Sequence, residues 1–198
     1  MRKVLEGIGW FFVLMFAVTG IVASFLNIPP SGRYNAVFVE YPVIALLHFV
    51  PGILFMVLGP LQFMPGLRRK HPVWHRNAGK VFMLCTIVIL LSAVWFIINA
   101  SFGGWSEQLS TGIFVLIASV SLWKAWTSIK KRQVARHREW IIRVFAIGLG
   151  IGAIRPVIGL LTASGSYTFQ EAFPIAFWIG FSLCYGVAEW WIWYTRTN

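Results

Sequence analysis

The sequence predicts an all-α, polytopic membrane protein: a bundle of six transmembrane helices with both termini on the cytoplasmic side. Three observations predict it. Hydrophobic residues make up 58% of the chain and charged ones only 12%, about half of what a soluble domain carries. That leaves too few polar side chains to cover a water-facing surface. Six runs are apolar enough, and near enough to the ~20 residues that hydrocarbon demands, to cross a bilayer. Lysine and arginine gather at alternate ends of those runs.

The six runs lie near 6–28, 41–63, 79–100, 109–129, 140–163 and 172–194. Together they read as one integral membrane domain over 1–198. The first follows Met1-Arg2-Lys3. It is longer than the apolar core of a signal peptide and no A-x-A site follows, so it reads as a retained helix. The second carries His48 ahead of Pro51-Gly52. The third holds Cys85, and the fourth holds Ser110, Thr111, Ser119, Ser121 and Lys124. The fifth places Arg155 and Pro156 after Gly148, Gly150 and Gly152. The sixth carries Cys184 and Glu189. No linker is long enough for a soluble domain. The two cysteines lie inside apolar runs, which suits small packing residues rather than a disulfide framework.

Charge sets the orientation. The net charge is +11, from 17 Lys and Arg against 6 acids, all of them Glu. Every Lys and Arg except Arg33 and Arg155 lies before the first run, after the sixth, or in or beside the linkers between the second and third and between the fourth and fifth, with Lys80, Lys124 and Arg143 inside the adjoining ends of their runs. The positive-inside rule places those segments, and both termini, in the cytoplasm. The expected setting is the inner (cytoplasmic) membrane, crossed several times. The expected partners are the bilayer and anionic headgroups at the cytoplasmic face, with a membrane-protein partner also open. Nucleic acid is not expected, because topology accounts for the basic excess.

Several polar residues need a reason to be where they are. Arg155 sits about 12 Å from the outer end of its run, where an arginine normally faces a bundle interior or a water-filled cavity. His48 lies about 10 Å below the outer end of its own run. The two could line one outer-half site, while a core histidine bonded to a backbone carbonyl or a serine, and a snorkelling arginine, are the plainer alternatives. Glu189 is expected to pair with an arginine near the inner end, Arg143 or Arg138, as a structural ion pair. His71 and His75 are four residues apart, a spacing that could present two metal ligands on one helix face. Pro72 works against this by pushing His71 out of helical geometry, so that His71 caps a helix whose first residue is Pro72. Arg76, Arg138 and Arg143 are candidates for holding an anion: a nucleotide, a haem propionate or a lipid phosphate. No Walker motif, GxGxxG, G-x-S-x-G or HExxH is present. A short internal repeat links His75-Arg76-x3-Lys80-Val81-Phe82 with His137-Arg138-x4-Arg143-Val144-Phe145.

These residues carry a resemblance. His48 with Pro51-Gly52, Gly59-Pro60-Leu61-Gln62, Arg68-Arg69, His75-Arg76-x-x-Gly79, Arg136-His137-Arg138-x-Trp140-Ile141-Ile142-Arg143 and Arg155 together resemble the bacterial DUF2306 family of polytopic membrane proteins. Asn77 stands where an aromatic is expected and Phe82 where a tyrosine is usual. The family implies membrane residence and brings no reaction with it. The His-Arg-x-x-Gly element is also similar to those of haem-bearing membrane cytochromes of the b561 and ferric-reductase-like groups, in which histidines on neighbouring helices hold haem b.

Three functions stay open at this point. The first is a haem- or redox-associated bundle, with His48, His75, His137 and Arg155 as candidate cofactor residues. One iron cannot join His48 to the other two, because His48 lies roughly 22 Å from the inner end of its helix. A bis-histidine haem would therefore use His75 with His137. The second is a small-molecule binding or transport protein built on His48 and Arg155. The third is a membrane assembly partner whose polar residues lock helix packing.

Overall fold

The computed structural model describes residues 2–28 and 37–197. Arg33, one of the two basic residues set apart from the rest by the charge pattern, lies outside the described residues. Eight helices follow in order: α1 (Arg2–Asn27), α2 (Val37–Glu40), α3 (Pro42–Gln62), α4 (Pro65–Lys70), α5 (Pro72–Asn99), α6 (Gly104–Lys130), α7 (Val134–Ala163) and α8 (Phe169–Thr197). Among the described residues, six of these (all but α2 and α4) are long and apolar enough to cross a membrane. They are the six that the hydrophobic runs predict.

The helices overrun the predicted bounds mostly at their basic ends. α5 begins at Pro72 rather than near 79, and α7 at Val134 rather than near 140. A hydrophobic run marks only the part of a helix that sits in hydrocarbon. The backbone ladder continues through the polar turn beyond it, since helix formation asks only for unstrained dihedrals and donors. The His71 expectation holds: Pro72 opens α5, and the His71 carbonyl accepts the first bond of the helix, from the His75 amide at 3.0 Å. α7 opens in the same way, with the His137 amide bonded to the Gln133 carbonyl at 2.9 Å. His75 and His137 are each the fourth residue of their helix. The short sequence repeat is thus also a repeat of local structure. Pro156 sits inside α7 without ending it.

The chain forms two compact units, Met1–Ser92 and Ala93–Asn198, whose boundary falls within α5. In the first, α1 packs on α3. α1 buries Ala17, Gly20, Ala23 and Asn27, a stripe of mostly small residues at helical spacing, and small residues let two helix backbones approach. α3 turns Ala45, Phe49, Phe55 and Met56 inward. Phe55 stacks on Phe82 of α5 with ring centroids 4.6 Å apart.

In the second unit α7 is the most buried helix and packs against α8 and α6. Van der Waals contact drives such association in hydrocarbon, so the closest approach matters most. It lies at Gly150 of α7 and Gly180 of α8. A Cβ on Gly180 would come 2.8 Å from Ile154 Cγ1 and 3.0 Å from the Gly150 carbonyl oxygen. A Cβ on Gly150 would meet Phe181 Cδ1 at 2.5 Å and its Cα at 3.1 Å. Backbone cannot step aside, so a methyl at Gly180 must push the helices apart. Gly180→Ala should cost about 1–3 kcal/mol. Gly112→Ala, where no atom lies within 4 Å of the new methyl, should leave stability unchanged or slightly raised. Detergent-titrated unfolding of the two variants checks the contrast.

Candidate functional site: fixed histidines and buried cations

His48 lies in the second turn of α3, about 9 Å from its start. Its Nδ1 is 2.9 Å from Ser92 Oγ on α5. That hydroxyl also sits 2.9 Å from the Val88 carbonyl and 3.0 Å from that of Ile89. A hydroxyl has one proton to give and carbonyls only accept. With the serine proton on its own helix, Oγ accepts from His48 Nδ1–H, and the same ring also bonds the Ile89 carbonyl. This tautomer puts the ring's lone pair on Nε2. The bond also settles a distance question. Ser92 is seventeen residues along α5 from His75, roughly 25 Å of helix. His48 and His75 therefore stand at opposite ends of the first unit, and one metal ion cannot take both.

His137 has the same arrangement by another route. Its Nδ1 lies 2.9 Å from the Ala125 carbonyl of α6. A carbonyl cannot donate, so Nδ1 carries the proton and the neutral ring keeps its lone pair on Nε2. Two of the four histidines thus have their Nδ1 proton engaged by an acceptor within their own unit. His75 is half-buried with Nδ1 inside, and His71 is exposed at the start of α5. One turn beyond His75, Gly79 makes room for Gln62 of α3: a Cβ there would come 3.2 Å from Gln62 Oε1. The Gln62 Nε2 is buried and has no hydrogen-bond partner among the described residues. Among the described residues, no three His, Cys, Asp or Glu side chains come together as a metal set.

Arg155 is half-buried on α7, and its Nε is inside the structure. It belongs to the second unit and His48 to the first. Arg143 takes the role expected for the inner-end arginine. Its Nε bonds Glu189 Oε1 at 2.5 Å, and its Nη2 bonds Oε2 at 2.8 Å. The guanidinium also stacks 4.3 Å from the centre of the Trp140 ring, whose other neighbour is Lys124 Nζ at 4.7 Å. Two of arginine's donor groups and its flat face are thereby committed, which leaves Arg143 little to offer a ligand. Arg138 and Arg76 are exposed.

A second fork pairs Arg196 of α8 with both carboxylate oxygens of Glu139 on α7. The sequence reading missed this pair. Glu139 sits four residues before Arg143, and Arg196 seven after Glu189. These spacings each return to one helix face, and that was the available signal. Ser92 as the partner of His48 was missed as well. The signal there is one of two hydroxyls, with Thr86, in the apolar run of α5, since such a group needs a partner as much as an isolated histidine does.

Residues 45–192 match the family model described as Predicted membrane protein (DUF2306). No curated protein and no solved structure matches the chain.

The Arg143–Glu189 pair carries a stability prediction. Arg143 is only 10% exposed in its side chain and Glu189 38%. Removing the acid leaves a largely buried cation with its neutralising partner gone, the costly direction of change. Glu189→Ala should destabilise by about 1–3 kcal/mol, discounted from the fully buried case because Glu189 reaches solvent. Glu139→Ala should cost clearly less than Glu189→Ala, since Arg196 is mostly exposed and solvent screens the pair. Adding Arg143→Met to Glu189→Ala should restore much of the loss, measured by a double-mutant cycle in detergent unfolding.

Proposed function

The chain belongs to the DUF2306 family of predicted membrane proteins, and on that premise we propose that it is a haem- or redox-associated helical bundle in which histidine Nε2 is the donor atom. One observation carries the reading: the Nδ1 protons of His48 and His137 are held by Ser92 Oγ and the Ala125 carbonyl. A ligating imidazole characteristically gives its other N–H to an acceptor, which fixes both tautomer and ring direction.

The donor set fits haem b. Neutral imidazole is its commonest protein ligand, and the apolar helices around His48 suit a porphyrin face. Arg76 and Arg138 are cations of the kind that meet a propionate at the end of a span. Bound in this way, the cofactor would supply one-electron chemistry. The chain's own residues would hold the ring nitrogens, exclude water and neutralise the propionates. The setting taken is the inner (cytoplasmic) membrane with both termini inside, supported by the basic side chains at one set of helix ends.

A second reading makes Arg155 the anchor for a small anionic or polar ligand. A guanidinium with its Nε buried eight residues before the end of an apolar helix supports it. Ligand-dependent thermal stabilisation, lost in Arg155→Gln, would favour that reading over the first.

The test of the first reading is a reduced-minus-oxidised visible spectrum with metal analysis on one detergent-purified sample. Stoichiometric haem is expected: a haem held at His48 should be lost in His48→Ala and shift in Ser92→Ala, whereas one held at His137 should be lost in His137→Ala and be unchanged in Ser92→Ala. Protein expressed with ample haem supply that holds neither haem nor metal would overturn the reading.

A further inference from the structure

We propose that the turn joining α6 to α7 is a docking surface for the headgroups of anionic phospholipids, and that Arg132 is the cation at its apex. The turn is dense in charge. Lys130, Lys131, Arg132, Arg136 and Arg138 are all exposed. The one acid in the stretch, Glu139, has both oxygens taken by Arg196 and lies near Arg136 alone of the five, so the turn keeps a strong positive excess. Aromatic rings flank them. Trp123 and Trp126 are 63% and 45% exposed, and Lys130 Nζ lies 5.0 Å over the Trp126 ring. Amphipathic rings settle at headgroup level. Cations beside them then meet lipid phosphate, where each attracts an anionic leaflet.

A generic basic linker would look much the same to this point. Arg132 is different. The α6 C-terminus closes in the paired-bond geometry in which one residue adopts a left-handed backbone: Arg132 N bonds the Ile129 carbonyl at 3.0 Å, and Gln133 N bonds that of Ser128 at 2.9 Å. Glycine is the usual occupant of that position. Here it is arginine at φ 58°, the one described residue other than glycine with a positive φ. A Cβ makes this conformation unfavourable. Topology does not account for it, because Lys130 and Lys131 already place positive charge at the helix end, where the helix dipole also favours it. A binding partner that needs a cation at the apex does account for it. The turn is also held rigid, by the two backbone bonds and by His137 reaching the Ala125 carbonyl, so the cations keep a fixed pattern. The occupant is anionic phospholipid of the surrounding leaflet, because the Trp rings put the turn at headgroup depth.

The experiment uses the full chain in nanodiscs of pure phosphatidylcholine and of phosphatidylcholine doped with phosphatidylglycerol. It reads the shift in unfolding midpoint that doping produces. Doping should raise the midpoint of the unaltered chain. Arg132→Gly should unfold at the same or a higher temperature in pure phosphatidylcholine, because the backbone strain is gone, and should lose most of the doping shift. Arg69→Gln, in the other basic segment, should keep most of it. Equal shifts in Arg132→Gly and the unaltered chain would overturn the proposal, as would equal losses in the Arg132 and Arg69 variants, which would make the effect a property of net charge alone.

Discussion

Hydrocarbon offers no hydrogen bonds, so every polar atom carried into it has to find a partner within the protein. The long helices answer this for the backbone. For side chains the answer differs from residue to residue. Ser and Thr within the spans mostly bond the carbonyl one turn back, as Thr86 does to Phe82 and Thr162 to Ile158. Glu189 is held by Arg143. His48 and His137 reach across to neighbouring helices. The last pattern is the one the proposed function draws on, because a histidine whose Nδ1 is spent on the scaffold keeps its lone pair on Nε2.

The helix pair α7·α8 shows two forces at work on one interface. At one level Gly150 and Gly180 bring the backbones together, and packing is all-or-none there because a single methyl would strike main chain. Nearer the basic end, two reciprocal Arg–Glu forks face each other with the charges exchanged between helices. Glycine contact supplies closeness in the apolar stretch. The ion pairs supply register where water and headgroups begin, since a shift of either helix by one turn would separate both pairs at once.

The fold was largely legible in the sequence, because a span declares itself by length and composition alone. All six spans were identified, and so was Pro72 as the start of a helix capped by His71. Helix ends at the basic termini were read too short, because hydropathy falls off before the hydrogen-bond ladder does. Arg143 as the partner of Glu189 was legible from depth and charge. The partner of His48 was not, since finding Ser92 requires knowing which faces of α3 and α5 meet. Arg143 was read both as an anion site and as an ion-pair partner. The geometry commits it to the pair, and no composition argument could have divided the two roles. Arg132 looked like one more basic linker residue, because a backbone dihedral leaves no trace in the sequence when the residue there is not glycine.

The central claim is a tautomer: Nδ1 protonated and Nε2 bearing the lone pair in both His48 and His137. Nitrogen-15 spectra of histidine-labelled protein, assigned with His48→Gln and His137→Gln, measure it directly. The account predicts that both rings show a protonated Nδ1 and an Nε2 shift characteristic of a bare or ligating nitrogen. A proton on Nε2 with a bare Nδ1 in either ring would contradict it, and would return that histidine to the role of a packed core residue.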